Sequence, residues 1–235
     1  MTYGRCVNKL SYEYNINNFV LKRSDLIKDL GINFDSALTF RNHFDDIVKK
    51  SLATLGFVIR NTKTFTSIMA LKILYYSLIR SRLEYGSVIW DPYYHVSILK
   101  LENVQRRFIK YLHYKEFGNY PVRGTSQELL LSIYNIEALC FRRTKMLIKF
   151  IYDLVHNKID CIHLFSQIRF HVPRPQSRYP LTFSIERVRT NLGSKAPLTN
   201  MQHKFNTLCH NCDLHFDSLN KILKYIDNDL RYKIT

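Results

Sequence analysis

Two cysteines and two histidines near the carboxyl end of the chain carry side chains that could bind a metal ion. Cys209 and Cys212 are separated by two residues, and His203 and His215 flank them. Two thiolates and two imidazoles can complete a tetrahedral zinc site. Their spacing matches no common zinc finger, however, and the two cysteines could simply lie together at the end of a helix. We therefore expect no resident cofactor, with zinc as the alternative.

Paired carboxylates are a second arrangement with chemical potential. Asp45 and Asp46 follow Phe44, and neighbouring aspartates can hold two metal ions for phosphoryl transfer. In polymerases such a pair lies in a β-hairpin turn, whereas here it opens an amphipathic helical pattern, where the helix dipole favours acidic residues. Asp227 and Asp229 fall in the last predicted helix. The sequence therefore predicts no enzyme that is complete in these residues.

The chain is strongly basic. It has 35 Lys and Arg against 19 Asp and Glu, a formal net charge of +16, and such a surplus indicates nucleic acid or an anionic membrane surface as the partner. No apolar run approaches the roughly 18 residues of a membrane span, and the amino end lacks the apolar core of a signal peptide. Five scattered cysteines favour free thiols in a reducing compartment. We expect a soluble intracellular protein, nuclear or cytoplasmic, that binds RNA or DNA and no membrane.

Hydrophobic periodicity predicts a mostly α-helical fold, a helical bundle preceded by a short β-hairpin. Residues 12–35 alternate apolar and polar side chains around the turn-forming pair Asn17 and Asn18. Apolar side chains then recur every three or four residues, which predicts helices over residues 41–60, 66–90 and 96–113 and two closing helices near 198–210 and 216–231. The predicted segments are residues 1–40, the hairpin; 41–168, the helical region; 169–197, a basic linker rich in Pro and Arg; and 198–235, the C-terminal helices.

The most apolar helical pattern covers residues 66–90. Leu71 and Tyr75 would lie on one face of this helix, while Met69 and Ile73 would lie on another. A helix that is apolar on nearly every side needs protein around it. We therefore expect this segment at the centre of the helical core, ending before Pro92.

Basic side chains lie off the apolar faces of the other predicted helices. In residues 96–113 the basic residues opposite the apolar face are Lys100, Arg106, Arg107 and Lys110. A later helix, capped by Asn135, would have a wet side formed by Arg142, Arg143, Lys145 and Lys149. In the linker, arginines such as Arg174 and Arg178 alternate with aromatic residues, which suits phosphate contacts and base stacking. The same composition would also suit a linker that lies on the surface and is kept wet by its arginines.

Three segments occur in a defined order: KDLGINFDSALTFRNHFDDIVKKSLATLGFVIRNTKTF, then LKILYYSLIRSRLEYGSVIWDPYY, then LENVQRRFIKYL. They resemble the region after the palm in reverse transcriptases of jockey-like non-LTR retrotransposons. The resemblance covers about residues 15–168, and the arginine-rich stretch and the final helices look like that family's C-terminal tail. The family's activity is RNA-directed DNA polymerisation by a mobile element.

The resemblance implies roles for parts of the chain. Residues 26–35, with Lys28 and Gly31, would be the primer-grip hairpin at the palm's edge, and residues 41–113 would be the thumb and its extension, which hold the template–primer duplex. Candidates for sequence-independent phosphate contacts are Lys49, Lys50, Arg60, Lys63, Arg106, Arg107 and Lys110, joined by Arg174 and Arg178. The family's fingers, endonuclease and metal-binding aspartates would precede Met1, so this chain alone should not synthesise DNA.

We therefore expect a C-terminal fragment of a reverse transcriptase that at most binds the backbones of template and primer. Two alternatives stay open. The first is a helical protein-interaction module or a degenerate, non-functional retroelement product, whose sign would be a hairpin with exposed apolar edges. The second is a zinc-binding module at the C-terminus.

Overall fold

The computed structural model describes residues 1, 3, 12–172 and 181–232. Their fold is mostly helical with short β-hairpins near the amino end, which confirms the predicted fold class. Arg174 and Arg178 of the basic linker lie outside the described residues. Across the described ranges, no helix combines the length and the apolar composition that crossing a lipid bilayer requires.

The amino end forms two separate two-stranded antiparallel hairpins. In each hairpin the two central turn residues have positive φ: 47° and 66° at Asn17 and Asn18, and 44° and 85° at Leu30 and Gly31. Positive φ at both positions is the mark of the type I′ turn, whose twist matches that of paired strands. The turn predicted at Asn17 and Asn18 is confirmed. The strands are β1 (Asn15–Ile16), β2 (Phe19–Val20), β3 (Leu26–Asp29) and β4 (Ile32–Asp35).

Ten helices follow in the part of the chain that the structure describes. Helix α2 spans residues 68–84 and has three consecutive parts, an α-helical Ile68–Leu74, a π-helical Tyr75–Arg80 and an α-helical Ser81–Glu84. The other helices are α1 (Arg41–Asn61), α3 (Ser87–Trp90), α4 (His95–Phe117), α5 (Gln127–Ile133), α6 (Leu139–Val155), α7 (Ile162–Phe165), α8 (Asn191–Ser194), α9 (Pro197–Leu208) and α10 (Leu219–Tyr232).

The chain divides into two compact units. The first consists of Met1–Gly86 and Tyr94–Ile136, and it contains the hairpins with α1, α2, α4 and α5. The second consists of Ser87–Tyr93 and Glu137–Thr235, and it contains α3 and helices α6 to α10. A short segment between α2 and α4 therefore contributes to the second unit, although both of those helices belong to the first.

The core of the first unit is built from one apolar face on each of three long helices. On α2, Leu71, Tyr75, Ile79 and Leu83 are completely buried, and their four-residue spacing places them on one stripe. Tyr75 stacks on Phe108 of α4, with ring centroids 4.1 Å apart and an interplanar angle of 7°. The π-helical part of α2 therefore packs directly against α4.

Helix α2 is shorter and more exposed than the sequence predicted. The chain leaves the helix at Tyr85, and Gly86 has a φ of 65°, the left-handed conformation that commonly ends helices. Met69 is 63% exposed and Ile73 is 58% exposed. The prediction that protein surrounds this helix is therefore wrong, because its neighbours cover one side of it and leave the other in water.

The second unit has its own apolar core, which includes Leu147, Ile151, Phe205 and Ile222 from α6, α9 and α10. Two predictions for α6 are corrected. The helix begins at Leu139, and Asn135 precedes it in a left-handed turn with a φ of 49°. Arg143, predicted on the wet side, is 1% exposed, because its guanidinium pairs with the carboxylate of Asp91 inside the unit.

Candidate nucleic-acid interface

Helices α1 and α4 of the first unit lie side by side and run in the same direction. Near their amino ends, Lys100 Nζ lies 2.5 Å from Asp45 Oδ1. Near their carboxyl ends, the hydroxyl oxygens of Thr62 and Tyr111 are 2.9 Å apart. Because the two contacts follow the same order along both helices, the α4-facing edge of α1 borders the α1-facing edge of α4.

The α4-facing edge of α1 is basic. Lys49, Arg60 and Lys63 are exposed. Helix geometry places Lys49 and Arg60 on the same side of α1 as Asp45, which contacts α4, and Lys63 follows two residues after the end of the helix. Gly56 lies between Lys49 and Arg60 on this side of α1, and its lack of a side chain leaves room for the long side chain of Arg60. A Cβ at Gly56 would lie 3.2 Å from a guanidinium nitrogen of Arg60, so the Arg60 side chain lies back over the helix surface.

The α1-facing edge of α4 is basic as well. Lys100 and Arg107 are exposed and lie two turns apart on one stripe, and the partly exposed Lys110 lies beside that stripe. Lys115 Nζ donates a hydrogen bond to the carbonyl oxygen of Lys63, 2.8 Å away. This ammonium group therefore lies at the carboxyl end of α1, where the helix dipole favours a cation.

We call these side chains together the α1–α4 basic surface. It consists of Lys49, Arg60, Lys63, Lys100, Arg107, Lys110 and Lys115. At a rise of 1.5 Å per residue, its length from Lys100 to Lys115 is about 22 Å. One strand of a nucleic-acid duplex carries about six phosphates over that length. Asp45 neutralises part of the positive charge at one end by pairing with Lys100.

Lys50 lies on the opposite flank of α1. Its ammonium pairs with Asp46 at 2.7 Å, and this hydrogen bond lowers the pKa of the Asp46 carboxyl below its usual range. Both side chains line an open cleft of about 470 Å³ with Arg82, Tyr85 and Gly31. Lys50 is therefore a neighbour of the second hairpin and not of Arg60 or Arg107.

The β3–β4 hairpin borders the same cleft. Tyr85 donates a hydrogen bond from its hydroxyl to the carbonyl oxygen of Leu30, 3.0 Å away, which fixes the hairpin turn on the end of α2. Lys28 on β3 is exposed, and its charge contributes to the lowered pKa of Asp46. Among the candidates, Gly31 and Lys50 therefore line the cleft, and Lys28 lies on the hairpin that borders it. Lys49, Arg60, Lys63, Arg107 and Lys110 belong to the α1–α4 basic surface.

Arg106 belongs to neither group. It is only partly exposed, and its Nε is buried with no hydrogen-bond partner among the described residues. The helix turns its side chain to the flank of α4 away from α1. The sequence predicted Arg106 on the same stripe as Arg107 and Lys110, and the structure corrects that placement.

The buried His43 ties α1 to the second hairpin. The backbone N–H of Asn33 donates to His43 Nδ1 over 3.4 Å, and the side chain is 1% exposed. Burial lowers the pKa of His43 below 6.5, Asp46 opposes that shift, and Lys50 adds to it. A neutral imidazole that accepts at Nδ1 suits this position.

The adjacent aspartates are separated by their ion pairs. Asp45 pairs with Lys100 on one flank of α1, whereas Asp46 pairs with Lys50 on the other. The carboxylates of a two-metal site converge on the same ions, and these two are each engaged by a lysine. Asp45 thus joins α1 to α4, and Asp46 offsets the charge of Lys50.

The four zinc candidates are not brought together. Cys209 is 1% exposed in the core of the second unit, His203 is exposed on α9, and the ring of His215 lies 5.3 Å from that of Phe170. Burial raises the pKa of the partly exposed Cys212, with Asp217 as a second cause. In the described part of the chain, no three His, Cys, Asp or Glu side chains are grouped to hold a metal ion.

The described ends of the basic linker pair with each other. Residues Phe170 and Phe183 form an isolated antiparallel bridge, and Arg169 forms an ion pair with Glu186.

Lys115 was missing from the sequence-based candidates, since it follows the predicted end of its helix. The signal that could have identified Lys115 as a helix residue is Gly118, because a glycine commonly follows the last turn of a helix.

No family model, no curated protein and no solved structure matches the chain.

Proposed function

We propose that this protein binds the phosphate backbone of RNA, DNA or their hybrid through the α1–α4 basic surface, without strong sequence preference. One observation carries the proposal: exposed cations line the border between two parallel helices that contact each other. Lys49 and Arg60 are on α1, Lys63 follows its end, and Lys100 and Arg107 are on α4. Cations fixed on neighbouring helices can neutralise successive phosphates and release their counterions. Such contacts position a nucleic acid but do not read its bases.

The proposed biological setting follows from the resemblance to jockey-like non-LTR retrotransposons. In that setting the chain supplies thumb-like and C-terminal parts of a reverse transcriptase, and residues 26–35 supply the primer-grip hairpin. The mostly helical fold supports this setting, as do the positive charges of Lys50 in the cleft and of Lys28 on the hairpin, both of which act on Asp46. We propose that these residues bind the template–primer duplex, and that carboxylates outside them hold the metal ions for phosphoryl transfer.

The test is binding of a labelled RNA–DNA hybrid, measured by fluorescence anisotropy over a range of salt concentrations. We expect the affinity to fall about tenfold or more between low and physiological salt. Replacing Lys49, Arg60 and Arg107 together by Ala should weaken binding and flatten its salt dependence. Salt-independent binding, or no binding at low salt, would overturn the proposal.

A matched control removes the same charge elsewhere. Lys149, Lys158 and Lys224 are exposed lysines of the second unit, and replacing them by Ala lowers the net charge by the same three units. If the surface on α1 and α4 binds the backbone, this control should bind far more tightly than the test variant. Equal losses in both variants would show that net charge alone attracts the nucleic acid.

Exposed apolar side chains favour a second candidate function, protein interaction. On the first hairpin, Ile16 is 59% and Phe19 is 78% exposed, and Tyr12, which precedes the hairpin, is 74% exposed. Unpaired strand edges can add to another sheet. Analytical ultracentrifugation of the purified chain tests this candidate. Association that Phe19→Ser abolishes would support it, and a monomer at high concentration would exclude self-association.

A further inference from the structure

Two exposed tyrosines are stacked on each other at the carboxyl end of α4. The rings of Tyr114 and Tyr120 have centroids 4.9 Å apart and an interplanar angle of 15°. Tyr114 is 42% exposed and Tyr120 is 62% exposed. Large aromatic rings are usually stacked inside a core, whereas this pair is held together at the surface.

The end of the helix builds the stack. Gly118 has a φ of 75°, and its N–H donates to the carbonyl oxygen of Tyr114 over 2.9 Å. This left-handed residue reverses the chain, which returns Tyr120 to Tyr114. His113 Nδ1 lies 3.0 Å from the carbonyl oxygen of Asn119 and can contact it only as a donor. The turn and this hydrogen bond therefore hold the two rings face to face.

The stack continues the row of cations along α4. Tyr114 follows Arg107 by seven residues and Lys100 by fourteen, so all three share one stripe of the helix. Lys110 lies one turn before Tyr114. Arg107 and Tyr114 are therefore about 10 Å apart along the helix axis.

We propose that the Tyr114–Tyr120 stack is a platform for an unpaired base of single-stranded nucleic acid, whose phosphates contact Arg107 and Lys110. A base can extend the two-ring stack on the exposed ring of Tyr120, and stacking of this kind tolerates any base. The adjoining cations match a polyanion, which favours this ligand over an apolar protein partner. This inference rests on the proposed function and adds to it a preference for a single strand, or for a duplex with a single-stranded end, over a blunt duplex.

The test compares three probes with the full chain: a twelve-nucleotide oligothymidylate with a terminal 2-aminopurine, a blunt hybrid duplex, and the same duplex with a single-stranded extension carrying that base. Tyr120→Leu keeps an apolar side chain but removes the ring, and it should weaken binding of the single strand about tenfold. The stacked 2-aminopurine should lose its quenching in the same variant. Affinity for the blunt duplex should not change.

Two control variants identify the cause. Tyr120→Phe keeps the ring and should restore both single-strand affinity and quenching. Phe216→Leu removes an exposed aromatic ring of the second unit, where Phe216 is 90% exposed, and should behave as the unchanged protein. Circular dichroism of each variant checks that the fold is retained.

The outcomes separate this inference from the function on which it rests. Unchanged single-strand binding in Tyr120→Leu, with the normal loss on replacing Lys49, Arg60 and Arg107, would overturn the stacking platform and leave backbone binding in place. Loss of self-association in Tyr120→Leu without loss of oligonucleotide binding would assign the rings to a protein contact and also overturn it. Failure of the unchanged protein to bind all three probes at low salt would overturn both.

Discussion

Arg143 and Asp91 form a buried ion pair in the second unit, with Arg143 Nε 3.2 Å from Asp91 Oδ1 and side-chain exposures of 2% and 10%. Lys204 Nζ lies 2.6 Å from the other carboxylate oxygen, and Asn200 Nδ2 lies 3.4 Å from that same atom. One carboxylate just after α3 therefore joins α6 and α9. The negative charge of Asp91 balances the two cations that contact it, Arg143 and Lys204.

We expect Asp91→Asn to destabilise the second unit, because the variant leaves a buried guanidinium without its counter-charge. Breaking a buried pair from one side costs about 3–5 kcal/mol. Urea unfolding followed by circular dichroism measures this loss. Asp153→Asn, which breaks the more exposed pair with Lys158 at 3.7 Å, is the control and should cost much less. Equal costs would show that Asp91 contributes no more than a surface carboxylate.

The stability of the first unit should decrease with acidification below pH 6.5 because of His43. Burial lowers the pKa of this imidazole in the folded protein, with Asp46 opposing and Lys50 adding to the shift. The unfolded chain therefore binds the proton more readily than the folded protein does. The contribution of His43 to stability is fully present above the pKa of His43 in the unfolded chain, and it is lost as the pH falls toward the lower pKa in the folded protein.

Thermal unfolding between pH 7.5 and pH 5 measures this contribution. His43→Asn can place a side-chain oxygen where Nδ1 accepts from Asn33, and it should flatten the pH dependence in that range. His203→Asn, at an exposed position of α9, should leave the pH dependence as it is. A His43→Asn variant with the slope of the unchanged protein would contradict the prediction.

Two glycines should respond in opposite directions to alanine. Gly118→Ala forces a left-handed φ of 75° on a residue with a Cβ, which costs about 1 kcal/mol. Gly56 lies inside α1, where alanine favours the helix by up to about 1 kcal/mol. The contact that it would make at 3.2 Å is with the mobile end of Arg60, which can move. Urea unfolding should therefore show a lower free energy of unfolding for Gly118→Ala and a higher one for Gly56→Ala.

The two faces of α2 should differ sharply in their tolerance of substitution. Ile79→Ala creates a cavity at a completely buried position and should cost about 2–5 kcal/mol. Ile73→Ser, at a position that is 58% exposed, should change the free energy of unfolding by about 0.5 kcal/mol or less. A large loss for Ile73→Ser would indicate that another surface covers this face in solution.

The sequence by itself determined several of the elements of the chain. The turn at Asn17 and Asn18 and the long helix that follows residue 40 were predictable, because local φ preferences and the spacing of apolar residues act over only a few positions. The net charge of +16 also follows from composition alone. These features need no knowledge of which helix packs on which.

Only the tertiary structure decided which faces are covered and which charges meet. Periodicity shows that Met69 and Ile73 share a side of α2, but not that water meets that side. Periodicity predicts an exposed Arg143 side chain, yet this side chain is buried because it pairs with Asp91, which lies 52 residues away in the sequence. Likewise, the separation of Lys50 from Lys49 follows from the two neighbours of α1, since each flank of a helix acquires its role from whatever packs there.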